Sequence, residues 1–466
     1  MTKRTALLPA ALVTLLALAA CSPGTDSADD AGTTGADETA VPHGYVEGAR
    51  ELQEPQLRLV ALDGDVLSAL DPASGEIVEL ASGGSLGDAS SLTTDGRHLF
   101  AATPGGRLTV VDGGAWTVPH GDHSHYYLAD PRVVAEPDDL ADLGVEPAPD
   151  SDGDGGTGSG GGSGPSSGAS GSSVGGAQEV RAASSASLTT AFWPTTGAGI
   201  VLDGDALADG ELDEVGRVEG VPHDGVLVPL GDEVVASVVS DAVGASGPAD
   251  AAPVLADTVV VSTVDGVPVD GLEQPCVDLR GSAVTRVGVV VGCADGAVLA
   301  SADTAGDVTL ERIPYPAGTA ASDVATSFQA RPGRPAVASV AGTRGAWLLD
   351  TRARSWTLIE TPEPLLRATA VGDSDDTVVA VGASGRVLVL SPGGVLAQTE
   401  PLVAADLVAG ADGPELPAGV VLEVDASRSY LASPSAGVVH EIDHADSARV
   451  ARTLSLPGRL FVETGR

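Results

Sequence analysis

The sequence is poor in basic residues, aromatic residues and cysteine. Lys3 is the only lysine among 466 residues, and 24 lysines and arginines stand against 65 aspartates and glutamates, for a formal net charge of −41. Nucleic-acid binding requires a basic face that neutralises phosphates, so this composition argues against a nucleic-acid partner. Aromatic residues make up 3% of the chain, too few for an enzyme that stacks a planar cofactor. No G-x-S-x-G sequence lies at the strand-to-helix turn that a hydrolase nucleophile occupies, and we expect a protein that is not an enzyme.

The first 21 residues are typical of an export signal. Lys3 and Arg4 precede an apolar stretch over 6–20 that is too short to predict a membrane span. The stretch ends in Leu-Ala-Ala-Cys21, which resembles the lipobox of bacterial lipoproteins. We therefore predict that Cys21 is lipidated and that the mature chain is extracytoplasmic, bound to the cell membrane through its lipid. The alternative is an ordinary cleaved signal in which Cys21 has no role.

Two cysteines remain, Cys276 and Cys293. A cysteine pair in an exported chain usually forms a disulfide, and we predict one here. A catalytic dithiol is the weaker alternative, because the pair has no C-x-x-C spacing.

The chain beyond the signal divides into low-complexity segments and β-type repeats. Residues 22–42 are rich in Ser, Gly, Thr and Asp and predict a disordered tether, and the Gly/Ser-rich segment at about 150–176 predicts a flexible loop. Elsewhere hairpins recur with a spacing of roughly 40 to 52 residues, the period of a propeller blade. The pattern predicts an all-β fold, a β-propeller over 43–466 with six to eight blades and seven favoured. A pair of β-sandwiches, or two smaller β-domains joined by the Gly/Ser segment, is the alternative.

Three of the eight histidines lie within six residues, at His120, His123 and His125, with Asp122 between them. Residues two apart on a strand share a face, and zinc takes three or four imidazole or carboxylate ligands. The segment therefore predicts a zinc site, with His223 as a further candidate ligand and His43 as a possible metal-acquiring group on the tether. A polar loop without metal is the alternative. We expect His98, His440 and His444 to be structural.

The start at His43-Gly44-Tyr45-Val46-Glu47-Gly48-Ala49, the segment His120 to Tyr127 and the end Val438 to Arg466 together resemble the AztD-like zinc metallochaperones of bacteria. That resemblance implies an exported β-propeller that passes zinc to the substrate-binding protein of a zinc ABC transporter. The sequence departs from the family pattern at Arg280, close to Cys276, and in the Gly/Ser segment. The second hypothesis is a lipid-anchored propeller that serves as an interaction scaffold at the cell surface with a degenerate metal site.

Overall fold

The computed structural model describes residues 44–120, 123–142, 180–240, 254–411 and 413–465. Contacts group residues His43–Arg466 into one unit. Several predictions lie outside the described residues: the lipidated Cys21, the tether over 22–42, the Gly/Ser loop at 150–176 and the role of His43. No helix in the described part of the chain is long and apolar enough to cross a membrane.

Almost all of the described regular structure is β-strand. The strands in the first half are β1 (Arg50–Leu52), β2 (Arg58–Asp63), β3 (Val66–Leu70), β4 (Ile77–Ser82), β5 (Ser91–Thr94), β6 (His98–Ala102), β7 (Leu108–Asp112), β8 (Ala115–His120), β9 (His123–Leu128), β10 (Arg132–Ala135), β11 (Arg181–Ser184), β12 (Leu188–Trp193), β13 (Ala198–Asp203), β14 (Glu214–Val218), β15 (Leu227–Leu230), β16 (Glu233–Val238), β17 (Thr258–Thr263) and β18 (Pro268–Pro275). Two short helices, α1 (Pro137–Asp142) and α2 (Gly204–Asp209), and a 3-10 turn at Gly84–Asp88 lie between them.

The second half continues in the same way. Its strands are β19 (Ser282–Val284), β20 (Val289–Cys293), β21 (Gly296–Ala302), β22 (Val308–Pro314), β23 (Ala336–Ala341), β24 (Gly345–Asp350), β25 (Ser355–Glu360), β26 (Leu365–Ala370), β27 (Val378–Gly382), β28 (Val387–Ser391), β29 (Gly394–Gln398), β30 (Val408–Ala409), β31 (Pro414–Glu415), β32 (Leu422–Val424), β33 (Arg428–Ser433), β34 (Val438–Asp443), β35 (Arg449–Ser455) and β36 (Leu460–Thr464). Further 3-10 turns lie at Ala321–Asp323 and Pro434–Ala436.

These strands form successive antiparallel sheets of the kind that make propeller blades. Within the described ranges the sheets are β36-β2-β3-β4, β5-β6-β7-β10, β11 to β14, β15 to β18, β19 to β22, β23 to β25, β26 to β29 and β32 to β35. Hydrophobic side chains fill the space between consecutive sheets; one such cluster joins Leu348 of β24 to Leu388 of β28. The predicted all-β propeller is confirmed, because each sheet buries both of its faces against its neighbours.

The last strand completes the first sheet. β36 pairs with β2, with Arg58 opposite Thr464 and Leu62 opposite Leu460. Residues 460–464 are therefore hydrogen-bonded to residues 58–62, although the two segments lie at opposite ends of the chain. The first sheet therefore contains strands from both ends of the described chain, which ties the last sheet in sequence order to the first.

The described residues contain eight sheets with the blade pattern, whereas the spacing of the hairpins favours seven. Eight lies within the predicted range of six to eight, and the hairpins β2–β3, β12–β13 and β16–β17 are those with the weakest repeat signal in the sequence. The sheet β23–β25 has three strands. In place of a fourth, innermost strand it has a single β-bridge between Gln329 and Ala338.

The disulfide is present as predicted. Cys276, just after β18, is bonded to Cys293 of β20, and both residues are buried. The bond joins two neighbouring sheets within one hydrophobic cluster.

A candidate metal site on an inserted hairpin

One hairpin stands apart from the blade sheets. β8 and β9 lie between the third and fourth strands of the β5-β6-β7-β10 sheet and pair instead with β1 in a separate three-stranded sheet. The register places Val118 opposite His125 and His120 opposite His123. Because strand side chains alternate between faces, His123, His125 and Tyr127 share one face of β9.

The rings on this face form a column. The centroids of the His123 and His125 rings are 5.0 Å apart in an edge arrangement, and those of His125 and Tyr127 are 6.3 Å apart and stacked. His123 is exposed, His125 is half-buried and Tyr127 is fully buried. The histidine pair thus lies where the column meets solvent.

Strand β1 supplies the acidic partner of this pair. Arg50, Glu51 and Leu52 lie opposite Leu128, Tyr127 and Tyr126. This pairing brings the Glu51 Oε1 atom to 2.7 Å from the His125 Nδ1 atom. A carboxylate that accepts a hydrogen bond from Nδ1–H favours the tautomer whose lone pair is on Nε2. This is the form in which histidine ligates metals.

The base of the column packs against Trp116. The Tyr127 ring stacks on Trp116 at 5.3 Å, and the Trp116 Nε1 atom donates a hydrogen bond to the Gly44 carbonyl at 3.2 Å. The Arg97 guanidinium lies 3.8 Å from the Trp116 ring centroid, a cation–π contact. Burial raises the pKa of Tyr127, and the nearby Glu51 carboxylate adds to the effect. Tyr127 therefore remains a neutral phenol and acts as a packing platform for His125.

The remaining predicted ligands are placed differently. The backbone register places His120 opposite His123. The His120 side chain and Asp122 lie outside the described part of the structure. His223 is buried elsewhere, where its Nδ1 lies 2.7 Å from the Val221 carbonyl and its Nε2 lies 2.8 Å from Ser237 Oγ. A metal at His223 would have to break one of these hydrogen bonds. Among the described residues, no three His, Cys, Asp or Glu side chains come together as a metal site.

The other histidines make contacts of their own. His98 Nδ1 lies 3.0 Å from Asp95 Oδ2, His444 Nδ1 lies 2.8 Å from Ser429 Oγ, and His440 Nδ1 lies 3.3 Å from Thr453 Oγ1. Burial lowers the pKa of both His440 and His444.

Glu51 was not among the sequence-predicted site residues. It lies in the segment Arg-Glu-Leu, which shows no strand alternation, and its partner is 74 residues away. No local pattern in the sequence indicates this pairing.

The fold and its inserted hairpin define the class of protein: an all-β propeller with a short accessory sheet. Among solved structures the chain is similar to AztD from Citrobacter koseri, with a TM-score of 0.63, 17% identity, and coverage of 88% of this chain and 96% of that one. The apo form of AztD from the same organism gives a TM-score of 0.63 at 16% identity, over 88% of this chain and 98% of that one. The sequence matches no protein-family model, and no curated protein matches it significantly. The likeness shows that the chain has an AztD-like fold.

Proposed function

We propose that the protein is a lipid-anchored, extracytoplasmic zinc chaperone without enzymatic activity. It captures zinc on the β8–β9 hairpin and passes it to the substrate-binding protein of a zinc ABC importer. The observation that carries this proposal is the solvent-facing pair His123 and His125. The His125 ring of this pair is hydrogen-bonded to Glu51. The AztD-like fold and the resemblance in the His120–Tyr127 segment support it.

The histidine pair has suitable geometry for capture. Zinc binds imidazole nitrogen at about 2.0–2.1 Å, so rings whose centroids are 5.0 Å apart can each turn a nitrogen toward one ion. In this proposal His120 and Asp122, which precede His123 closely in the sequence, supply further ligands. His223 is left out, because both of its ring nitrogens are hydrogen-bonded within the protein.

Exposure suits transfer. A structural zinc site is closed by four protein ligands, whereas an ion that must be handed on needs a position open to an incoming ligand. His123 is exposed, and the hairpin lies in a small sheet separate from the blade sheets. A partner's ligands can therefore approach the ion from solvent and replace the hairpin histidines one at a time.

Export is supported by two independent features. The sequence up to Cys21 has the pattern of a lipoprotein signal, and the Cys276–Cys293 disulfide is typical of proteins that fold outside the cytoplasm. Lipid anchoring would hold the chaperone close to a membrane transporter and raise the effective concentration of the partner.

Zinc titration of the full chain against a competing indicator tests the proposal. The parent chain and the test variant both carry Cys21→Ser, so that the Cys21 thiol cannot bind zinc. The test variant also carries His123→Ala and His125→Ala. We expect about one tightly bound zinc in the parent chain and its loss in the double variant. His440→Ala, on β34 in a different sheet, is the matched control and should bind as the parent does.

Equal zinc binding in the parent chain and the double variant would contradict the proposal. Absence of zinc binding in the parent chain would do the same, and would favour the interaction scaffold with a degenerate site. In that case pull-down with the lipid-anchored chain would be the route to its partner.

A further inference from the structure

The second face of the β8–β9 hairpin points into a cavity at the centre of the propeller. Thr117 and Pro119 of β8, and Ser124 and Tyr126 of β9, line this space. They alternate with the residues of the histidine face, as strand geometry requires. The hairpin therefore roofs the cavity with one face while it presents His123 and His125 on the other.

The cavity walls come from the inner strands of several sheets. β5, β11, β19, β32 and β36 each contribute lining residues, and the hydrogen bond from Thr117 Oγ1 to the Gly465 carbonyl, at 3.3 Å, fastens the roof to the end of β36. The cavity volume is about 580 Å³. This lies within the range of about 300–1,000 Å³ that small-molecule sites occupy.

The charged lining is predominantly acidic. Four carboxylates, those of Asp95, Glu423, Asp425 and Glu463, line the space together with the single guanidinium of Arg331. Arg331 lies 3.6 Å from Asp425, and Asp95 lies 3.0 Å from the His98 ring.

A second guanidinium lies nearby: Arg367, buried on β26, attracts Glu423 electrostatically but is not part of the lining. Carboxylates still outnumber guanidinium groups when Arg367 is included. In a cavity with low-dielectric walls, this excess of negative charge favours cations over anions.

The rest of the lining combines apolar side chains, one partly exposed aromatic ring and the uncharged polar side chains of Thr94, Thr117, Ser124, Ser184 and Gln329. Tyr126 lies at the surface of the space, whereas the rings of Phe100 and Phe328 are 4% and 0% exposed and lie behind the surface, among alanines from the inner strands. Aromatic rings attract cations through their negative faces, and the attraction strengthens where water is excluded. Acidic groups together with an aromatic ring form the kind of lining that recognises an ammonium group with an apolar body.

We propose that this cavity binds a small organic cation, an ammonium compound of about the size of choline or putrescine. The carboxylates, with Glu463 and Glu423 foremost, complement its charge, and the Tyr126 ring contacts its methyl or methylene groups. The site lies on the opposite face of the hairpin from the histidines and does not depend on the proposed zinc function.

Calorimetric titration of the full chain at physiological salt tests the proposal, with choline and putrescine as probes. Glycine betaine keeps the trimethylammonium head of choline but adds a carboxylate, and 3,3-dimethyl-1-butanol keeps its shape without the charge. We expect at least one of the two cations to bind once per chain. If choline binds, glycine betaine and 3,3-dimethyl-1-butanol should bind about tenfold more weakly than choline. If only putrescine binds, neither of these two compounds should bind detectably.

Variants then locate the site. Glu463→Gln and Glu423→Gln should each weaken cation binding about tenfold, whereas Glu76→Gln, on the exposed turn before β4, should leave it unchanged. The glutamine variants keep the shape of the side chain, and the comparison of choline with its neutral isostere needs no variant at all.

Three results would overturn the inference. The first is that neither cation binds. The second is that the neutral isostere or betaine binds as tightly as the cations, which would indicate a cavity without charge selection. The third is that cation binding is the same in the Glu463→Gln and Glu423→Gln variants as in the parent, which would indicate general attraction to an acidic protein.

Discussion

Glu51 and His125 are joined by a hydrogen bond of 2.7 Å between Oε1 and Nδ1, although 74 residues separate them in the chain. The contact exists because β1 adds a third strand to the β8–β9 hairpin and sets Glu51 opposite Tyr127. A carboxylate behind an imidazole fixes both the tautomer and the direction of the ring. The short strand β1 therefore orients the histidine that we propose as a zinc ligand.

Replacing Glu51 should weaken zinc binding without abolishing it. Glu51→Gln keeps the size of the side chain but removes the charge that holds the His125 ring, and such outer partners are worth about 10–100-fold in metal affinity. We expect a loss of that order in competitive zinc titration of the full chain carrying Cys21→Ser.

Glu54→Gln is the matched control, because Glu54 lies three residues further along and is exposed. The orienting role would be refuted by a Glu51→Gln affinity equal to that of the control. A loss as large as that of the His123→Ala/His125→Ala variant would instead indicate that Glu51 is itself a ligand.

The disulfide should stabilise the fold and leave the metal site untouched. Cys276 and Cys293 are 17 residues apart, and closing a loop of about this length stabilises a protein by about 3 kcal/mol in the chain-entropy model. Denaturant unfolding of Cys276→Ala/Cys293→Ala should show a loss of about that size. Cys21→Ser is the control for the loss of a cysteine outside the pair. Unchanged stability in the double variant, or altered zinc affinity, would contradict this assignment.

Asp95 should stabilise the fold in a pH-dependent manner. Burial alone would raise the pKa of Asp95, but attraction to His98 and hydrogen bonds from His98 and the Arg97 backbone N–H outweigh it and lower the pKa to about 2. Since the unfolded pKa is near 3.8, the ionised group stabilises the fold above about pH 4, and this contribution is lost as the pH falls through 2.

We therefore expect Asp95→Asn to lower the free energy of unfolding by about 2 kcal/mol at pH 7, and by less at pH 3. Urea unfolding across this range measures the difference. Asp138→Asn is the control, because the Asp138 side chain is 99% exposed. A penalty for Asp95→Asn that stays constant from pH 7 to pH 3 would show that ionisation of Asp95 is not its cause.

Much of the fold could be predicted from the sequence, because blade hairpins carry local signals. The turn at Thr94–Arg97 leads into β6, and the Asp-Gly turn at 295–296 separates β20 from β21, as the alternation of apolar residues indicates. The number of sheets was harder to predict. β16 and β17 form one hairpin in the structure, but about twenty residues separate their apolar runs along the chain and hide the repeat.

The site could be predicted only in part. Because His123 and His125 are two residues apart, the sequence indicated that they share one face of a strand. The structure places their rings together. Contacts between distant segments determine the position of Glu51 beside His125, the wall of the cavity and the burial of His223. Local periodicity does not encode such contacts. His223 illustrates the limit: the sequence offered it as a further candidate ligand, but its ring is buried against Phe192.

Zinc binding at the β8–β9 hairpin can be observed in a crystal. A crystal of the chain grown with one equivalent of zinc, measured on both sides of the zinc absorption edge, tests it most directly. We expect one strong anomalous peak at about 2.1 Å from a ring nitrogen of His123 and of His125, with the His125–Glu51 hydrogen bond retained. A peak elsewhere in the protein, or an ordered hairpin without a peak, would contradict it.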